Sequence, residues 1–214
     1  MGKLGGARRA AATAAAAVGW AALALQLALL VDRLGPALGA WRFLGYFTIL
    51  TNIGVAAVAS AVALGRGDTL GGSRARLMAA TSIILVGIVY SVALRALWNP
   101  TGLQKLADFA LHDAAPLLFF GLWVLSPHGA LRWRDIGWAL VPPALYAVYA
   151  LGRGALDGWY AYWFLNPAEQ SPAGLAASIA VMLAGFALIA GLLVLVDRWL
   201  GRIEDKTEAP NCKA

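Results

Sequence analysis

Six apolar stretches, each long enough to cross a bilayer as a helix, leave this chain few folds to choose from. They cover about residues 10–31, 38–64, 75–98, 105–125, 133–151 and 173–199, with the charged residues gathered between them. Inside lipid each backbone N–H and C=O must be satisfied within its own segment, so such stretches become helices. Charged residues fill 13 % of the 214 positions, against roughly a quarter in a soluble domain. The expected fold class is therefore all-α: a polytopic integral membrane protein with six transmembrane helices in one bundle over residues 1–200. A short charged cytoplasmic tail without fixed structure is expected over 201–214. The first stretch follows Lys3, Arg8 and Arg9 but is too long for a signal-peptide core, so it is read as a retained first helix.

Orientation follows from the basic residues. Twelve of the 17 Lys and Arg fall at the N-terminus, in the second and fourth connections and in the tail region, and five (Arg33, Arg42, Arg95, Lys105, Arg153) on the other side. Both termini are expected to be cytoplasmic, in the cell membrane. The aromatic residues agree. Trp41, Trp98, Trp159, Tyr160, Tyr162 and Trp163 mark the outer border, and Trp123, Trp133 and Trp199 the inner one. The net charge of +6 is thus read as cytoplasmic loops, and no nucleic-acid partner is expected; the expected partners are membrane lipids. Cys212, the one cysteine, lies in the tail, which excludes a disulfide framework and a thiolate metal site.

Chemistry concentrates where ionisable residues interrupt apolar sequence. The fourth stretch carries Asp108, His112, Asp113 and Pro116. Ionisable groups inside a span are costly and mark a polar interior or a reaction. Pro116 offers no N–H to the carbonyl four residues back, which predicts a kink beside His112. The second stretch carries Thr48, Thr51 and Asn52 in Phe47-Thr-Ile-Leu-Thr-Asn52. By helix rise, Thr48 and His112 both lie roughly 10–15 Å below the outer surface, at matched depth across a cavity. Histidine activates a hydroxyl that is a poor nucleophile alone. Asp108 lies one turn from His112 on the same face and orients the imidazole; Asp113 is rotated away from it. Asn52, or backbone N–H groups near the kink, would donate to an oxyanion. Arg95 is read as a group for a substrate carboxylate or a headgroup. Trp159 and Tyr160 belong to the longest outer connection, which would lie in the interface and cap the cavity. The alternatives are a non-catalytic lipid-binding or scaffolding protein, in which the same polar residues hold helices together, and a small proton-coupled permease using His112 and Asp113. No metal site is expected, since His128 lies in an inner loop far from His112. No cofactor is expected either: Walker, Rossmann and Gly-x-Ser-x-Gly fingerprints are absent from the sequence.

Three groups of residues resemble one family: Trp41-Arg-Phe-Leu44 with Phe47-Thr48, His112 with Pro116, and Gly158-Trp-Tyr-Ala-Tyr-Trp-Phe-Leu165. In this order they resemble the androgen-induced-gene family of six-span membrane proteins and its bacterial relatives, over most of the chain. Trp163 stands where that family's aromatic segment has a proline. The resemblance implies a threonine- and histidine-dependent hydrolase acting on a lipid or fatty-acid ester, in the family's case fatty acid esters of hydroxy fatty acids. It maps the histidine to His112. Aligned on Phe-Thr it maps the nucleophile to Thr48; aligned on Trp-Arg-Phe-Leu it falls near Gly45, and Thr51 is the fallback.

Overall fold

A computed structural model describes residues 3–67, 70–97 and 99–208. Trp98, Cys212 and Lys213 lie outside the described residues. Those described form helices and connections, with no strand among them. The elements are α1 (Lys3–Leu34), α2 (Pro36–Phe43), α3 (Phe47–Ala63), α4 (Ser73–Val89), α5 (Gly102–Phe109), α6 (Ala115–Val124), α7 (Ile136–Asp157) and α8 (Pro172–Glu208).

Four helical runs are long and apolar enough to cross a membrane: Gly5–Leu34, Ser73–Leu94, Gly102–Val124 and Pro172–Ile203. A fifth is reached if α2 and α3 together count as one broken span. The stretch at 133–151 becomes α7, which is not among these runs. Pro142, Pro143, Tyr146 and Tyr149 interrupt its apolar sequence. The apolar surface is also inverted relative to a water-soluble bundle: Val92, Leu156, Val148 and Val181 are each more than 70 % exposed.

The second stretch is not one straight helix. Gly35 takes a left-handed turn (φ 81°) and Pro36 opens α2, as proline does at the first helical positions. At Gly39 a Cβ would fall 2.7 Å from the Leu30 carbonyl oxygen, so this glycine lets α2 fold back on the end of α1. The chain then breaks at Leu44-Gly45-Tyr46, and α3 leaves at 77° to α2. Thr48 consequently sits in the first turn of α3, not ten residues into a continuous span.

Small residues bring α1 and α3 together. Ala12, Ala15, Ala56 and Ala59 are buried, and a Cβ on Gly19 would lie 3.1 Å from the Ala56 Cβ. Backbones pack closely across such faces. Around them Leu77, Ile83, Phe119, Leu122 and Val194 fill the main core. The tail expectation also changes: α8 runs without interruption through residue 201 to Glu208.

Pro116 does not break its helix. A π turn, Ala110–Ala114, joins α5 to α6, and the Ala115 N–H bonds to the Ala110 carbonyl five residues back. Shifting the register by one residue accommodates the proline that an α turn would expel. A second π turn, Tyr90–Leu94, closes the C-terminal end of α4. Gly87 faces the first: a Cβ there would stand 3.4 Å from both the His112 carbonyl oxygen and the Pro116 ring.

Candidate functional site

The two π turns meet at one cavity. His112 lies in the turn Ala110–Ala114 and Tyr90 opens the turn Tyr90–Leu94, a setting in which such turns often carry function. The two rings stack with centroids 3.8 Å apart and planes 13° from parallel. The Tyr90 hydroxyl donates to Asp108 Oδ2. The other carboxylate oxygen, Oδ1, lies 3.2 Å from His112 Nδ1, and the Asp108 backbone oxygen lies 3.0 Å from the same nitrogen. With two acceptors at Nδ1, that nitrogen is the donor in the neutral ring, which leaves Nε2 as the acceptor. No described group bonds to Nε2.

His112, Asp108, Tyr90 and Thr48 all line a cavity of about 330 Å³. Thr48 reaches it from the start of α3, and Tyr162 closes it from the loop before α8. The Tyr162 hydroxyl lies near enough to the Thr48 side chain and to the backbone N–H groups of Phe47 and Thr48 for each to act on it electrostatically. These N–H groups belong to the first turn of α3, where they have no partner inside the helix. The cavity thus joins a hydroxyl, an imidazole with an oriented ring, and donors at a helix start.

Thr51 and Asn52 lie elsewhere. Thr51 lines a second cavity of about 590 Å³ between α3, α4 and α7, which His112 does not touch. Asn52 is fully buried and lines neither space. Its Nδ2 donates to the Thr48 carbonyl at 2.8 Å and reaches the Leu111 carbonyl at 3.4 Å. In the π register the Leu111 carbonyl would accept from residue 116, but Pro116 has no N–H. Asn52 therefore ties α3 to the proline-containing helix, and its amide is turned away from the chemistry. A small cavity of about 70 Å³ touches Thr48 and Tyr162 on one side and Phe47 and Tyr146 on the other. It shares Thr48, Tyr90, Leu94 and Tyr162 with the polar space, and Phe47 and Tyr146 with the larger apolar one.

Arg95, Trp159 and Tyr160 do not line the polar cavity either. Arg95 pairs with Asp113 and lies over the outer face of Tyr90, 5.2 Å from its centroid. Trp159 packs edge-on against Tyr46 at 5.4 Å and under Arg42 at 4.2 Å. A Cβ on Gly45 would come 2.6 Å from its ring, so the glycine at the α2–α3 break seats this indole. Tyr160 lies over Gly154, where a Cβ would collide with its ring. Trp159 is further tied down by Asp157, which accepts from Trp41 Nε1 at 2.7 Å and the Trp159 N–H at 3.0 Å. Those two donors, helped by Arg42, hold the Asp157 carboxyl below the usual carboxylate range.

The loop contributes Ala161 and Tyr162 to the cavity in place of Trp159 and Tyr160. The sequence alone assigned no role to Gln26, Gln104 or Tyr90, which also line the cavity. Gln26 had a signal, an amide within an apolar helix, and Gln104 had one in its four-residue spacing from Asp108. Tyr90 had none, because its contact is made between helices. Among the described residues no three His, Cys, Asp or Glu side chains converge as a metal would require. Comparison with family models, with curated proteins and with solved structures finds no match.

Proposed function

We propose that this chain is a six-span membrane protein, with both termini on the cytoplasmic side of the cell membrane, that hydrolyses a lipid or fatty-acid ester with Thr48 as nucleophile and His112 as base. The observation that carries the reading is the shared cavity. Thr48 and the unpartnered Nε2 edge of His112 belong to one space, and the opposite ring nitrogen is held by Asp108.

In this mechanism Thr48 Oγ1 attacks the ester carbonyl as His112 Nε2 takes its proton. Asp108 keeps the ring in the reactive tautomer and stabilises the imidazolium, and Tyr90 fixes Asp108. The carbonyl oxygen becomes an oxyanion, which the Tyr162 hydroxyl and the N–H groups opening α3 stabilise, helped by the positive end of the helix. The C–O bond to the alcohol then breaks, and the imidazolium returns its proton to the leaving alkoxide. Water, deprotonated by the same nitrogen, attacks the acyl-threonine and releases the fatty acid and free Thr48. Base catalysis of this kind supplies on the order of 10²–10⁴ in rate.

The resemblance to threonine- and histidine-dependent ester hydrolases supports the same assignment. A proton path through His112 and Asp113 gains no such support, because Asp113 is paired with Arg95 outside the cavity.

The test is covalent labelling of purified protein by a fluorophosphonate, in which the nucleophile's oxygen bonds to phosphorus and fluoride leaves. Labelling is expected in wild type and in Thr51→Ala, and is expected to vanish in Thr48→Ala and His112→Ala of unchanged thermal stability. Loss in Thr51→Ala with retention in Thr48→Ala would overturn the nucleophile. Absence of labelling and of ester hydrolysis in folded wild type would overturn the hydrolase reading in favour of a lipid-binding or scaffolding role.

A further inference from the structure

Gln26 is the one aliphatic polar side chain of α1 between Thr13 and Asp32. An amide in an apolar helix either joins helices or serves a ligand. Here it accepts a hydrogen bond from Gln104 Nε2 at 2.8 Å, and both residues line the polar cavity. Gln104, Asp108 and His112 follow at intervals of four, so the amide pair lies on the same face, about one turn beyond Asp108. One hydrogen bond uses one of the pair's four N–H groups and one carbonyl lone pair. No described residue bonds to the remaining N–H groups of either amide or to the Gln104 carbonyl. The cavity therefore holds unclaimed donors and an acceptor beyond the reacting groups.

Charge narrows what these groups can hold. No Lys or Arg is among the described residues lining the cavity, and its one formal anion is Asp108. A carboxylate brought inside would lose its hydration with no cation to replace it, and would face a like charge. The cations around it stay outside the lining: Arg95 lies over the Tyr90 ring and Arg33 and Arg42 act on Tyr46, and Arg95 and Arg42 are already paired with Asp113 and Asp157. A neutral hydroxyl meets no such penalty, since it donates and accepts as the amide pair does. The other half of the ester has apolar space beyond Thr48, in the 70 Å³ cavity and in the 590 Å³ cavity that shares Phe47 and Tyr146 with it.

We infer that Gln26 and Gln104 form a subsite for the alcohol half of the ester, and that this half is a neutral polyhydroxyl group of the glycerol type, in contrast to the carboxylate-bearing hydroxy fatty acid that the family resemblance implies. This rests on the Thr48–His112 reading for the position of the scissile bond; the preference for a neutral hydroxylated head stands on the cavity alone.

Binding separates the two. A glyceryl alkyl ether has no ester to cleave, and a fatty acid of the same chain length supplies the carboxylate. Each is titrated into wild type, Thr48→Ala, Gln26→Leu and Gln104→Leu in an amine-oxide detergent, whose head carries no hydroxyl, at about pH 8 where the fatty acid is ionised. Affinity is read from thermal stabilisation. The ether is expected to bind wild type and Thr48→Ala about tenfold tighter than the fatty acid, and the preference to fall toward unity in either leucine variant. An ether affinity that neither leucine variant lowers overturns the subsite, whatever the fatty acid does, since the fatty acid is the released product and also occupies the acyl space. Ether preference in a protein that neither labels nor hydrolyses keeps the subsite and removes the hydrolase. Faster cleavage of a carboxylate-bearing ester than of a glyceryl ester keeps the hydrolase and removes the subsite.

Discussion

The chain has two histidines, and each places Nδ1 3.2 Å from an aspartate oxygen. They differ in what surrounds the pair. At His128 the second ring nitrogen lies 3.1 Å from the Val124 carbonyl, and the ring stands edge-on to Trp123 at 4.9 Å. Its partner Asp197 also accepts the N–H groups of Gly129 at 3.0 Å and Leu131 at 2.9 Å. A Cβ on Gly201 would fall 2.4 Å from the Gly129 Cα, so the loop backbone lies directly against α8. Each polar atom of that clasp is committed to holding the loop. At His112 one nitrogen is committed, no described group bonds to the other, and the residue lines a cavity shared with a hydroxyl. A His–Asp contact is thus equally at home in a fastener and in a reactive group; the vacancy on the far side of the ring makes the difference.

Substitution at the rings tests this contrast most strongly. His112→Gln is expected to lower kcat/KM for ester hydrolysis by about 10³-fold while leaving thermal stability nearly unchanged, since it removes a base. His128→Gln is expected to do the reverse, with kcat/KM within about threefold of wild type and a lower melting temperature. Comparable activity losses in two equally folded variants would erase the distinction. Next in size is the aspartate of the clasp. Asp197→Ala strands the buried Leu131 N–H and the histidine, while the Gly129 N–H keeps the backbone carbonyl of residue 197, at a cost of about 2 kcal/mol in unfolding free energy. A loss below about 1 kcal/mol would mean that the clasp is not a fastener. The smallest effect is expected at Tyr90. Tyr90→Phe keeps the stack on His112 and deletes the hydroxyl that holds Asp108, which should lower kcat about tenfold with KM nearly unchanged. An unchanged kcat would remove Tyr90 from the orienting chain.

The all-helical character was legible in the sequence because it depends only on runs of apolar residues. So was the approach of Asp108 to His112, which four-residue spacing on one helix dictates. The break in the second stretch was not. Gly45 permits it, but the reason for it is the Trp159 ring seated there, more than a hundred residues away. Asn52 shows the same limit. Its spacing from Thr48 suggested a shared catalytic face, whereas its amide answers the Leu111 carbonyl, a demand created on another helix by Pro116. Tyr90 and Tyr162 meet the site only through the packing of distant segments. Local spacing thus reached the members of one helix, and the contributions of the others required the fold.

The π turns carry a consequence for how such a chain changes over generations. Each holds one residue more than the α turn it replaces. Deleting one residue between Ala110 and Ala114 would remove the extra residue and force an α register onto Pro116, rotating α5 by about 100° relative to α6. Asp108 and Gln104 would swing off the cavity together while composition and hydropathy stayed almost the same. Single-residue length changes at these two turns, more than substitutions around them, are the steps by which descendants of this chain could acquire or lose its polar chamber.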